Sequence, residues 1–183
     1  MWKLLAFAVA LSCSSSSSAP PPQAPDPPRA VVTIGPFKSI PPSEWTSTPP
    51  SSKMRAAQFR VADDAELIIF YFGKGGAGSV DANLDRWLGQ FTKPDGSPAK
   101  DTAKIEHPTI AGQPATLVFV SGHYVAEAMP GRDAIDKQDQ ALFAAIVASP
   151  EGPYFFELKG GKPAVDANAA RFRAFLESLQ LRQ

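Results

Sequence analysis

Only one cysteine, Cys13, occurs among the 183 residues, which rules out an internal disulfide framework and a Cys-based zinc cluster. Histidine is nearly as scarce, with two, His107 and His123. Net charge is missing as well: Lys+Arg and Asp+Glu are both 18. A nucleic-acid binder needs a basic surface to displace counterions from phosphates, so no nucleic-acid partner is expected. No cofactor and no metal site is expected from these counts. What is present is 44% hydrophobic residues, including 12 Phe, which is enough for a substantial core. The 19 prolines cluster rather than spread.

The N-terminus reads MWKLLAFAVALSCSSSSSAPPPQAPDPP. Lys3 supplies a short positive region, and Leu4 to Leu11 an apolar run. That run is too short to cross a bilayer as a mature helix, which takes roughly 20 residues. It has the profile of a secretory signal. Small and apolar residues before Cys13, with Ser14 after it, resemble the lipobox of bacterial lipoproteins. The resemblance implies cleavage before Cys13 and a lipid on it. Ser14 is similar to the outer-membrane-directed form. The Ser and Pro run that follows, Ser14 to Pro28, offers almost nothing to bury and reads as a flexible, then semi-rigid, spacer. The expected organisation is a signal at 1–12, a lipid-anchored linker at 13–30 and one domain at 31–183. The protein is then anchored to a membrane, on the periplasmic face of the outer membrane, and does not span it.

Within the domain, AVVTI (Ala30 to Ile34) is a short strand candidate. MRAAQFRV (Met54 to Val61) sets Ala57, Phe59 and Val61 against Arg55, Gln58 and Arg60. Trp45 pins the loop before it. ELIIFYF (Glu66 to Phe72) is apolar without alternation, as a central strand covered on both faces would be. Val80, Leu84, Trp87, Leu88 and Phe91 fall on one helical face, with Ser79 as N-cap. Two hairpins follow, one turning at Ala111 to Pro114 and one at Pro150 to Gly152, with a polar excursion from Ala126 to Gln140 between them. Val165 to Leu181 is a second helix, with Ala169, Phe172, Phe175, Leu176 and Leu179 as its stripe. Short links mean antiparallel pairing, so the class is α+β: an antiparallel sheet with two helices packed on it.

This order, with YFFELKG running into a helix that carries FRAFLESL, is similar to the PsbP-like αβα sandwich. SSKMRAAQF, YFGKGGAGSV, NLDRWLGQF, IAGQPATLVFVSGHY and GPYFFELKGG, in this order, together resemble an uncharacterised family of bacterial lipoproteins. That resemblance implies location and fold and no activity.

Gly73, Gly75 and Gly78 spell G-x-G-x-x-G after an apolar strand and before a helix. A dinucleotide site also needs a second parallel strand ending in an acidic residue. TKPDGSPAKDTAKIEHP, after Phe91, holds no such strand, and Asp95 and Asp101 fall in that loop. The stretch reads as a turn from strand to helix. Its minor alternative is anion or nucleotide binding by Gly73, Lys74, Gly75, Gly78 and Ser79 at a helix N-terminus, helped by Asn83 and Arg86 if they face the loop.

The hairpin turn sets His107 opposite about Val118, with His123 some five residues on, on the order of 17 Å away. The two cannot share a metal. Asp63, Asp64, Asp133, Asp136 and Asp139 lie in polar turns, and DAIDKQDQ lacks the Gly and Glu of a Ca²⁺ loop. Ser121 in VSGHY lacks the first glycine of a nucleophile elbow. The expectation is a membrane-tethered binding or accessory lipoprotein of the bacterial envelope without catalysis. The alternative is an exported hydrolase built from dispersed residues, for which a pocket joining His107 or His123 to a serine and a carboxylate is the discriminating feature.

Overall fold

The computed structural model describes residues 30–127 and 133–182. The signal, Cys13 and nearly all of the linker lie outside the described residues. In chain order the elements are β1 (Val32–Ile34), β2 (Phe37–Ser39), β3 (Thr46–Ser47), β4 (Arg55–Ala62), β5 (Ala65–Tyr71), α1 (Val80–Leu88), β6 (Phe91–Thr92), a 3-10 turn (Ala99–Thr102), β7 (Lys104–Glu106), β8 (Thr109–Ile110), β9 (Gln113–Ala126), β10 (Ile135–Val147), β11 (Tyr154–Gly161), α2 (Lys162–Glu177) and β12 (Gln180–Leu181).

The main sheet runs β3-β4-β5-β11-β10-β9-β6. Every pairing in it is antiparallel, and β7 and β8 also pair with β9. Both faces are covered, so the strands alternate between two apolar layers. On β10, Ala141, Phe143, Ala145 and Val147 meet the layer that holds Val165, Phe172, Phe175 and Leu176 of α2. Leu142, Ala144 and Ile146 meet the layer under α1, with Leu84, Trp87 and Leu88. β5 is central as its composition implies: Leu67, Ile68 and Ile69 are fully buried. The class is α+β, an antiparallel sheet with a helix on each face.

Trp45 packs on Phe59 and Phe175 with ring centroids 6.3 and 5.5 Å apart, and its indole N–H donates to Asn168 Oδ1 at 3.2 Å. Strict alternation would put Arg55 on the face of Ala57. A register shift between those two residues moves it to the other side, over the Phe70 ring at 5.7 Å.

Four expectations change. Strand β1 begins at Val32 and joins β2 and β12 in a separate three-stranded sheet. The second helix starts at Lys162, with Pro163 in its first turn, and ends at Glu177, so Leu179 is buried beyond it. The first helix ends at Leu88, so Phe91 opens β6 instead of closing the helix, and Val80 stays 40% exposed. Within the segment from Ala126 to Gln140, the residues that flank 128–132, which lie outside the described residues, belong to strands: Ala126 ends β9 and Ile135 opens β10. Ile135 to Lys137 pair with Ala126 to Tyr124, which lengthens the β9–β10 hairpin into an arm. β11 flanks β10 only from Gln140 onward, so the arm's outer edge carries Asp136, Lys137 and Asp139 and a bulge between Lys137 and Gln140. Charge and a bulge at an open edge discourage pairing with another chain.

Candidate functional site

The glycine loop turns as its composition implies. Gly73, Gly75 and Gly78 have φ of 83°, 87° and 72°, a conformation other residues adopt at a cost. Ser79 caps α1, accepting from the Ala82 N–H at 3.1 Å. Asn83 is turned into the loop and buried. Its side-chain amide donates to the carbonyls of Ala77 and Ser79 at 2.7 and 2.9 Å, and its Oδ1 accepts from Arg86 at 3.0 Å. Two loop carbonyls therefore converge on a bound amide, the opposite polarity from a nest of N–H groups around an anion. The chain after α1 enters β6, which lies antiparallel to β9 across the sheet. A βαβ unit is absent among the described residues, and with it the crevice a dinucleotide uses.

The histidines sit further apart than expected. Ile110 pairs with Gln113, so the hairpin loop is two residues, Ala111 and Gly112. That register brings His107 against Thr116, with Nδ1 3.3 Å from Oγ1, rather than Val118. His123 is then seven residues on, roughly 23 Å along the strand. Among the described residues, no three His, Cys, Asp or Glu side chains group as a metal set. His123 Nε2 lies 2.5 Å from Asp136 Oδ1 on the arm. Ser121, two residues back on the same face, makes no hydrogen bond to His123 among the described residues.

Two of the surface cavities among the described residues bear on the site. One, about 480 Å³, lies beside the start of α1 and is lined by His107, Thr109 and Thr116 between prolines, with no carboxylate. The other, about 340 Å³, is a groove between α2 and the outer strands. α2 packs on β10 and β11, and Phe119 of β9 is half-buried against the same apolar layer. The pairing Lys104–Phe119–Phe143 across β7, β9 and β10 forms one row of the floor. Arg173 reaches from α2 over the Phe143 ring, 4.9 Å from its centroid, and donates both Nη groups to Glu106 at 2.8 and 2.7 Å. Those hydrogen bonds hold the Glu106 carboxyl below its ordinary value and raise Arg173. At the other end Lys162 pairs with Asp166 one helical turn on. Neither cavity joins a histidine to both a serine and a carboxylate.

No family model and no curated protein matches the chain. Solved structures do. The solution structure of cyanobacterial PsbP (CyanoP) from Synechocystis sp. PCC 6803 matches at 13% identity and a TM-score of 0.50, over 80% of this chain and 87% of that one. The fold is PsbP-like. A crystal structure of PA94, a protein of unknown function from Pseudomonas aeruginosa, matches at 12% identity and a TM-score of 0.41, over 84% of this chain and 97% of that one. At 13% identity the CyanoP likeness concerns the fold and brings no activity with it.

The PsbP-like sandwich explains why local motifs point away from the groove. Its lining comes from residues near 104–119, 143 and 162–173, which share no spacing in the chain. Only the pairing of β7 with β9 and the lie of α2 bring them together.

Proposed function

We propose that this protein is a membrane-tethered, non-catalytic binding or accessory lipoprotein of the bacterial cell envelope. It is exported and held by a lipid on Cys13. One observation carries the reading: the order of the chain. A charged Lys3, an apolar run to Leu11, a lone Cys13 and a Ser/Pro spacer stand immediately before a domain whose first strand is Val32–Ile34. A spacer of that composition has a use when a folded module must stand off a surface. The lipoprotein-family resemblance of SSKMRAAQF, YFGKGGAGSV and NLDRWLGQF supports the same location.

The test is the fate of Cys13. Fractionation is expected to place the native protein with membranes, and mass spectrometry to show a mature N-terminus at Cys13 carrying acyl groups. Cys13→Ser should release the folded domain or leave the leader uncleaved. A soluble mature protein with an unmodified Cys13 thiol would refute the tether.

A further inference from the structure

We propose that the outer face of the small β1-β2-β12 sheet is the surface through which the domain docks on an anionic lipid bilayer. This rests on the reading of the chain as tethered through Cys13, and it adds which face meets the membrane. The register of β1 with β2 sets Val32 against Ser39, and one step further sets Val31 against Ile40. These two side chains are 59% and 43% exposed, an apolar pair beside the end of the spacer. Lys38 lies two residues before Ile40, on the same side of the strand. It pairs with Thr33 of β1 and with Gln180 of β12, and so stands at the centre of the face. The inward residues of the same strands, Ile34, Phe37 and Ser39, are buried.

The charge on this face has no counter-charge beside it. Lys38 is the only charged residue from Ala30 to Pro42, and Gln180 and Leu181 of β12 add none. The Lys38 ammonium makes no ion pair or hydrogen bond among the described residues. The described carboxylates nearest in the chain are engaged elsewhere: Glu44 pairs with Arg171, and Glu177 acts on Arg173. An exposed aliphatic pair beside a lone cation suits the boundary between acyl chains and anionic headgroups. There the aliphatic groups enter and the lysine reaches back to phosphate. The patch is too small to hold a free protein on vesicles. A tether at Cys13 supplies the missing local concentration, and the spacer lets the face turn toward the bilayer.

The experiment uses the chain from Cys13 onward, which keeps every described residue. Cys13 is the only cysteine, so it couples specifically to a maleimide phospholipid in nanodiscs of phosphatidylglycerol and phosphatidylcholine. This chemical tether tests docking whether or not the cell acylates Cys13, so failure of the face and failure of the natural anchor are read separately. The discs carry a gadolinium headgroup, and amide line broadening is measured. Gln180, remote from the tether in sequence, should broaden roughly threefold or more beyond Asp136 on the β9–β10 arm. Val31→Glu combined with Ile40→Glu should erase that contrast, since each sets a charge where the acyl region would be. Lys38→Gln, or discs of phosphatidylcholine alone, should roughly halve it. All three positions are exposed, and an unchanged urea midpoint shows that the variants fold. Equal broadening at Gln180 and Asp136 overturns the proposal. So does a contrast that survives the double substitution, or one indifferent both to Lys38→Gln and to phosphatidylglycerol. A dimer of the free chain in sedimentation that Ile40→Glu dissolves also overturns it, because the patch would then belong to a second copy.

Discussion

At residue 111 the backbone takes a conformation its side chain does not favour. Ala111 and Gly112 form a two-residue hairpin loop with φ of 52° and 73°, the pattern that prefers Asn-Gly. The alanine methyl also touches the α2-side core, so relief of strain and loss of contact oppose each other. Ala111→Asn should still raise stability by about 0.5 kcal/mol, and Gly112→Ala should lower it by about 1 kcal/mol, as read by urea denaturation. The glycine loop makes a sharper forecast. Nothing lies within 4 Å of a Cβ added at Gly73 or Gly75, so only the positive φ resists substitution there. Alanine at either should cost on the order of 1 kcal/mol, and Lys74→Ala close to nothing. Asn83→Ala should cost more, about 2 kcal/mol, because it strips the donor from two loop carbonyls in a buried place. If Lys74→Ala proved as damaging as Asn83→Ala, the lysine would have a task the turn does not explain.

Elements were legible in the sequence where periodicity ran long enough. β4, β5, β9 and β11 announced themselves by alternation or by a solid apolar run, and α1 and α2 by their stripes. The small β1-β2-β12 sheet did not, because strands of three, three and two residues carry no period. The start of α2 at Lys162 is hard to see in the sequence because its first turn carries no residue of the apolar stripe; Pro163 fits there, since in the first turn it has no N–H to miss. The arm was hidden by its own edge, where Asp136, Lys137 and Asp139 read as loop. Of the candidate sites, the turn character of the glycine loop was legible from three glycines. The groove was not, since its row Lys104–Phe119–Phe143 exists only through pairing. Gly122 shows the same limit: VSGHY invited comparison with a catalytic elbow, yet the glycine serves packing. Its φ is 155°, and a Cβ there would run into the Thr92 carbonyl where β6 crosses β9. Gly122→Ala should detach β6, with faster hydrogen exchange at Phe91, Thr92 and Tyr124 and a loss of about 2 kcal/mol or more. Unchanged exchange at β6 would show that the strand finds room elsewhere.

Across the whole molecule, the small sheet and the main sheet meet at Tyr154. Its ring stacks on Tyr71 at 4.5 Å and meets Phe37 of the small sheet edge to face at 5.5 Å. Gly35, in the β1–β2 turn, lies so close to the phenol that any side chain there would collide with it. The Tyr154 hydroxyl donates to Glu151 at 3.4 Å, and the Tyr71 hydroxyl to the Glu151 carbonyl at 2.7 Å. The joint therefore rests on a buried neutral phenol beside a carboxylate. Burial, first, and then the Glu151 charge push its pKa from 10.0 up to about 12. Ionised in the unfolded chain above pH 10, the phenol stays neutral in the folded one until about 12. Its contribution is therefore whole below pH 10 and is lost as pH rises through that window. The loss should reach about 2 kcal/mol near pH 11.5. Lys93 and Lys100, raised by their pairing with Asp101 and Asp85, weaken over the same range and blur a single profile. Comparison with Tyr154→Phe removes them, because both proteins carry the same lysines. Urea denaturation of the pair from pH 8 to 11.5 should show the wild type losing stability faster than the variant above pH 10. Parallel profiles would mean that the phenol reaches solvent, and that the two sheets are less tightly joined than the Tyr154 contacts imply.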